Sequence, residues 1–292
     1  MELTDTKAVE NKEEWLEWRK AQPKTSVFGS SFPIWFGQGY GLSLKQHLEV
    51  VHGRKEAVEP DHFTRRAMDH GVENEERAFE WFKQSRNEIE YPEEATRKAH
   101  NHIFFRDLPS VVLKDEDCVV CVTPDAVIVE SRFDFKTGEE YQVLQVVEIK
   151  CPVRMASKYD SLEEWMTDFT AKHPLGYTSA FLQALLYSAI DSNTEEFYTA
   201  FYFQHKATNM EGMRVYKFAL TDDLRKFALD NAKEFSRVMR TDDQTKARVP
   251  SARKKLAAQW QDDAHVMDWI STPRFICFND SNEQNSKESG QE

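Results

Sequence analysis

The stretch from Cys118 to Pro152 constrains this chain more than any other. It reads CVVCVTPDAVIVE, then a polar gap, then YQVLQVVEIKCP. Each half is rich in Val and Ile and is bounded by charged or Gly-containing turns, the composition of a β-strand. The gap holds Lys136-Thr137-Gly138-Glu139, which suits a reversal, so the simplest reading is a β-hairpin. Two acids, Asp125 and Glu148, interrupt the apolar strands, and Lys150 follows. If the reversal is centred between Lys136 and Thr137, residues 125 and 148 become register partners. Partners on neighbouring strands have Cβ atoms roughly 5 Å apart. Glu148 and Lys150 share a face because side chains alternate along a strand. One small patch therefore carries two carboxylates and one ammonium amid Val and Ile.

Carboxylates this close repel, and burying them is costly unless a cation sits between them. A single acid in a strand is ordinarily one half of a solvated salt bridge. The combination Pro124-Asp125 with Glu148-x-Lys150 offers more: oxygen ligands for a hard divalent cation and a cationic group beside them.

The 292 residues allow one large domain or two small ones, and 40% hydrophobic with 12% aromatic content suffices for a core. No apolar run approaches the roughly 18 residues of a membrane span. The start, MELTDTKAVENKEEW, is polar and acidic rather than a signal peptide, so an intracellular protein is expected. Four cysteines, Cys118, Cys121, Cys151 and Cys277, are too few for a disulfide scaffold. Cys118-x-x-Cys121 would point to opposite faces of a strand, which argues for buried apolar thiols over chelation. A net charge of −12 disfavours a surface coated in nucleic-acid-binding charge, while leaving room for a cleft lined locally by Arg65-Arg66, Arg97-Lys98 or Lys150, Arg154 and Lys158.

Lys12 to Lys20 has helical spacing, with Trp15, Leu16 and Arg19 on one face. An Arg there wants an anion, either a Glu or a phosphate. Thr25 to Gly41 follows, where Ser30-Ser31 is suited to capping a short helix or to a phosphate. Helices are expected over Leu42–Val51, over Asp61–His70, and from Gly71 onward. On that last helix Glu75, Ala78, Phe79 and Phe82 form one stripe, which puts an acid on the core face. A strand is expected around His102–Phe105. Beyond the hairpin, helices are expected over Ser161–Thr170 and Thr178–Ile190, the latter apolar nearly all round. Its polar exceptions, Gln183 and Tyr187, are adjacent on one face and suited to satisfying each other. Strands over Phe197–Gln204 and Arg214–Leu220 and helices over Asp222–Arg240 and Ser251–Ile270 complete the reading. Residues 1–12 read as a flexible arm, 13–278 as a single domain with a C-terminal helical extension, and 279–292 as a disordered tail.

In order, the chain offers Gly71-x-x-x-Glu75, Pro124-Asp125, Glu148-Ile149-Lys150 and Gln183-x-x-x-Tyr187. This set resembles the PD-(D/E)xK nuclease superfamily. With Trp15-Leu16-x-x-Arg19, Val27-Phe28-Gly29-Ser30 and Gly37 added, it is similar more narrowly to the lambda exonuclease or YqaJ-type viral recombinase family. The resemblance implies an α/β (α+β) fold: a central mixed sheet flanked by helices, with a restriction-endonuclease-like core. It implies a Mg²⁺-dependent enzyme, with Mn²⁺ able to substitute, that digests one strand of duplex DNA from the 5′ end in recombination, repair or viral DNA processing. Asp125, Glu148 and the backbone carbonyl of Ile149 would bind the metal and Glu75 would complete the site. Lys150 would prepare the attacking water, with Gln183 in the catalytic set. Arg19, Ser30 and Tyr187 would contact DNA, the first two at its 5′ phosphate. The partners implied are double-stranded DNA ends, a single-strand annealing protein and a homotrimeric ring, with no membrane. An endonuclease or RNA-directed nuclease of the same fold, and a non-catalytic DNA-binding scaffold, are the competing readings.

Overall fold

The computed structural model describes residues 2–3, 12–39, 41–57, 59–90, 102–106, 111–115, 118–134, 136–152, 158–205, 208, 210–247, 253, 255, 257 and 265–270. Most of the expected N-terminal arm, the expected tail over 279–292 and Cys277 lie outside these. Glu2 and Leu3, expected in the flexible arm, form a short strand instead (β1).

The hairpin comes first because the sheet is built around it. Strands β6 (Ala126–Asp134) and β7 (Glu139–Lys150) pair antiparallel from Asp134↔Glu139 to Ala126↔Val147. The turn is closed by the Gly138 N–H donating to the Asp134 carbonyl at 2.7 Å, and Gly138 has φ 75°, a conformation that favours glycine. The ladder stops one residue short of the expected Asp125–Glu148 pair, and Asp125 instead meets β7 through its side chain.

The expected strand over 118–130 is not one strand. It breaks at Thr123-Pro124-Asp125, between β5 (Cys118–Val122) and β6. Proline has no N–H to give a ladder and sits poorly inside a sheet. The chain uses the break to change sheets. β5 lies in a four-stranded sheet with β1 (Glu2–Leu3), β2 (Val27–Phe28) and β4 (Val111–Asp115), in the order β1-β4-β5-β2. β6 and β7 lie in a six-stranded mixed sheet with β3 (His102–Arg106), β8 (Thr194–His205), β9 (Met210–Ala219) and β10 (His265–Ile270), in the order β10-β9-β8-β7-β6-β3. Asp125 stands at the corner between the two sheets.

Helices cover both faces of the larger sheet. One face carries α4 (His62–Glu90), whose Ala78, Phe79, Trp81 and Phe82 are buried with Ile128, Val147 and Ile149. The two helices expected over this region are one. Gly71 does not break it, because a single glycine in a helix costs only about 1 kcal/mol and strong helix formers follow. Asp61 starts the helix by accepting from the Thr64 N–H at 2.7 Å. The other face carries α5 (Leu162–Lys172), α6 (Thr178–Ala189) and α7 (Asp222–Thr241), together with the short helices α2 (Phe32–Trp35) and α3 (Leu44–Val51) and the smaller sheet. The connection from β7 to its parallel neighbour β8 runs through α5 and α6, as a parallel pairing requires. α6 is buried on every side, as its apolar composition predicts. The chain is therefore a mixed α/β fold with a central mixed sheet between helices.

The expected helix over Ser251–Ile270 is corrected at its end. Residues 253, 255 and 257 are helical, but His265–Ile270 is a strand antiparallel to β9. The run HVMDWI alternates and finds a row of unpaired backbone groups on β9, which outweighs its helical reading. Among the described residues no helix is long and apolar enough to cross a membrane.

Candidate functional site

The corner at Pro124 releases Asp125 from the ladder, and the next strand catches it. The backbone N–H of Ile149 donates to Asp125 Oδ2 at 2.7 Å. The Ile149 side chain is buried among residues of the α4 layer. Strand alternation then sends Glu148 and Lys150 to the opposite face, toward α6. There Lys150 forms an ion pair with Glu148, and its Nζ lies 4.0 Å from Asp125 Oδ2. The structure thus brings together Asp125, Glu148 and Lys150. Asp125 and Lys150 are each 25% exposed and Glu148 only 1%, so solvent reaches the patch from the Asp125 and Lys150 side.

Glu148 is the electrostatic extreme. One carboxylate oxygen faces Lys150, while the other, Oε2, is buried with no hydrogen-bond partner. Burial pushes its pKa up to about 8. The Asp125 charge adds to the rise, Lys150 opposes it, and the Glu75 charge contributes a little more. A buried carboxylate with an empty lone-pair side and a second carboxylate next to it is short of positive charge.

Glu75 sits on α4, half-buried, and so approaches from the layer opposite Glu148. It is near enough for its charge to act on Glu148 and on Cys151. Among the described residues no three His, Cys, Asp or Glu side chains form a ligand group. Two carboxylates plus water suit Mg²⁺, which keeps several of its waters and takes few protein ligands. The donor chemistry therefore fits a hard divalent ion held by Asp125 and Glu148, with Glu148 Oε2 the open position. The thiols do not compete. Burial pushes Cys121 and Cys151 up to about 12, and Cys118 Sγ lies 3.7 Å from the Ala232 carbonyl.

A second cluster lies on the smaller sheet. Arg19, at the end of α1 (Lys12–Ala21), donates from Nη2 to Ser30 Oγ at 2.9 Å and rests over the Phe28 ring, 4.4 Å from its centroid. Burial lowers its pKa from the usual guanidinium value. Ser31 does not cap α2 as its position suggested. Its hydroxyl turns back on Phe28, accepting from the N–H at 3.1 Å and donating to the carbonyl at 3.0 Å. Leu16, expected on the apolar face of α1, is 40% exposed.

Gln183 and Tyr187 are both buried on α6, and among the described residues no hydrogen bond joins them. The expected mutual pairing is therefore not formed. Tyr187 belongs instead between the two clusters. Its pKa is raised well above the ordinary phenol value, first by burial and then by the Glu148 and Asp125 charges, while Lys150 and Arg19 act the other way. The contacts of two motif residues are set by the fold alone, Phe28 under Arg19 and Gly29 against Tyr187. A bare glycine between Phe28 and Ser30 was the available signal, but nothing in the sequence says which side chain fills the space beside it.

Fold and site together define a mixed-sheet α/β protein with an acid–acid–lysine patch at a sheet corner and an arginine–serine pocket nearby. Among solved structures, an alkaline exonuclease from Laribacter hongkongensis aligns with a TM-score of 0.45 and 12% identity, over 84% of this chain and 99% of that one. No family model and no curated protein sequence matches the chain.

Proposed function

We propose that this protein is a metal-dependent deoxyribonuclease, acting as a 5′-to-3′ exonuclease on double-stranded DNA in recombination, repair or viral DNA processing. The observation that carries the reading is the partnerless Oε2 of buried Glu148 beside Asp125, with Lys150 on the same face. Mg²⁺, with Mn²⁺ able to substitute, would supply Lewis acidity toward the phosphate under attack and toward the attacking water. Asp125 and Glu148 would hold the ion and the Ile149 carbonyl and Glu75 would complete its surroundings, while the Ile149 N–H keeps Asp125 aimed. Lys150, on the same face as the two acids, would orient the water. Arg19 and Ser30 receive the terminal 5′ phosphate, a dianion that a guanidinium binds well. Tyr187 backs the site from α6, and Gln183 joins the catalytic set as the resemblance implies. A trimeric ring and a single-strand annealing partner extend this reading and follow from the sequence resemblance alone.

Digestion of linear duplex bearing 5′-phosphate or 5′-hydroxyl ends, with Mg²⁺ or with EDTA, tests it. Metal-dependent release from 5′-phosphorylated ends is expected. Absence of hydrolysis with both Mg²⁺ and Mn²⁺ overturns the enzyme reading. Equal cutting of closed circular and linear DNA makes the protein an endonuclease instead.

The competing reading, a structural ion pair on a binding scaffold, has one observation in its favour: Lys150 already neutralises part of the Glu148 charge. It leaves Oε2 unexplained.

A further inference from the structure

The two clusters are joined through one glycine. Gly29 lies in the turn after β2, and its N–H donates to the Cys121 carbonyl at 3.1 Å. A Cβ built at Gly29 would fall 1.9 Å from Tyr187 Cε1 and 2.5 Å from both Cζ and the hydroxyl. Gly29 is not among the glycines with positive φ, so its backbone suits any residue and the requirement is for room. Tyr187 fills that room with a ring that is only 8% exposed. Gly29 itself lies between Phe28 and Ser30, which Arg19 touches, and the Arg19 charge acts on Tyr187. Helix α6 faces the side of β7 that carries Glu148. The same backbone ties both ends: Cys121, which holds Gly29, is four residues before Asp125, a span of at most about 14 Å of extended chain. One DNA strand advances about 3.4 Å per phosphate. The backbone path from Cys121 to Asp125 is therefore on the scale of about four phosphates of one strand.

We infer that Tyr187 is a positioning residue, a rigid spacer that fixes the distance between the Arg19–Ser30 pocket and the Asp125–Glu148 patch, and that Gly29 is the specificity-determining position that admits it. The spacer decides which phosphate of a DNA end reaches the acids when the terminal phosphate is held. This deepens the proposed nuclease reading and rests on it. Any side chain at Gly29 displaces the ring and lets the two sites drift, so the end is still bound but cut in more than one place.

The test measures product length and 5′-phosphate preference for the wild type, Gly29→Ala, Tyr187→Phe, Tyr187→Leu and Gly29→Ala/Tyr187→Leu, with thermal midpoints alongside. A wild type that releases one product length sets the reference. Gly29→Ala should lose at least about a hundredfold in kcat on 5′-phosphorylated ends, since relieving the overlap needs a shift of more than about 1 Å, with a mixed product length and little change in KM. Tyr187→Phe, which keeps the ring, should keep the single product length, and Tyr187→Leu should lose it. On the Tyr187→Leu background, which relieves the overlap and guards against misfolding of the single variant, Gly29→Ala should add nothing. An unchanged product length in Gly29→Ala, or an equal further loss in the double variant, overturns the inference while leaving the nuclease reading intact. No hydrolysis by the wild type overturns both.

Discussion

The central hairpin carries two polar clusters, one at the corner and one along its middle, and they are built on opposite principles. Away from the corner, Gln145 Nε2 donates to Glu130 Oε2 and to Glu196 Oε2, each at 3.1 Å. Arg132 reaches Glu130 at 3.1 Å and Glu195 at 2.5 Å, and Lys217 reaches Glu196 at 2.9 Å. Glu130 and Gln145 are buried, and neither leaves a buried polar side-chain atom without a partner. At the corner, Asp125 and Glu148 share one lysine, and Glu148 keeps an unpartnered oxygen. The same two strands thus hold a saturated cluster and a deficient one. Buried polar groups are normally satisfied, so a saturated cluster is explained by folding alone. A deficient one stores a demand for charge that a ligand can meet.

The contrast is broken most sharply by Asp125→Asn. It should lower Mg²⁺-dependent hydrolysis of linear duplex about a thousandfold, since the ion's contribution is worth several kcal/mol. The thermal midpoint without metal should not fall, because a charge that repels Glu148 is gone. Activity within tenfold of wild type would mean the deficient cluster is structural after all.

Lys150→Gln should lower the rate about a hundredfold, the usual scale for a group that handles a proton or positions water. Divalent-ion binding, followed by calorimetry, should survive it. Loss of ion binding together with rate would make Lys150 part of the ion's support instead.

In the saturated cluster, Gln145→Leu removes the donor between Glu130 and Glu196. It should destabilise the fold by about 1–3 kcal/mol in denaturant titrations and leave the Mg²⁺ response unchanged. A changed metal response would show that the two clusters are coupled.

The smallest effect is a pH dependence. Glu148 has a folded pKa raised from 4.5 to about 8. The folded state then binds more protons than the unfolded one across that window. The resulting stability is full below about pH 4.5 and is lost as pH rises through about 8. A divalent ion favours the carboxylate and removes this loss, so Mg²⁺ should raise the thermal midpoint more at pH 8.5 than at pH 5.5. Calorimetric scans showing an equal rise at both pH values would contradict the assignment of Glu148 to the ion.

How much of this was legible beforehand differs by residue. The nearness of Asp125 and Glu148 was readable because a hairpin register follows from its turn, although the ladder stops one residue short of them, and the common face of Glu148 and Lys150 because strands alternate. The strand break at Pro124 was missed, although proline was its signal, because the flanking runs are equally β-like. The helix across Gly71 was missed because a lone glycine punctuates weakly. The strand His265–Ile270 was missed because its partner, β9, lies some fifty residues away. The place of Glu75 in the layer opposite Glu148 was not readable, since helix periodicity gives a core face but not which side of a sheet that core lies on.

By itself, then, the sequence determined the local patterns: the strands and turn of the hairpin, the buried α6, and the order of acids and lysine along β6 and β7. Those depend on residues close together in the chain, where alternation and helical period act directly. Only the tertiary structure decided that Asp125 leaves one sheet for another, that Ile149 holds it, that Glu148 is left with an unmet lone pair, and that Tyr187 fits against Gly29. These depend on side chains far apart in sequence competing for the same small volume, and close packing settles that competition only when the whole fold is assembled.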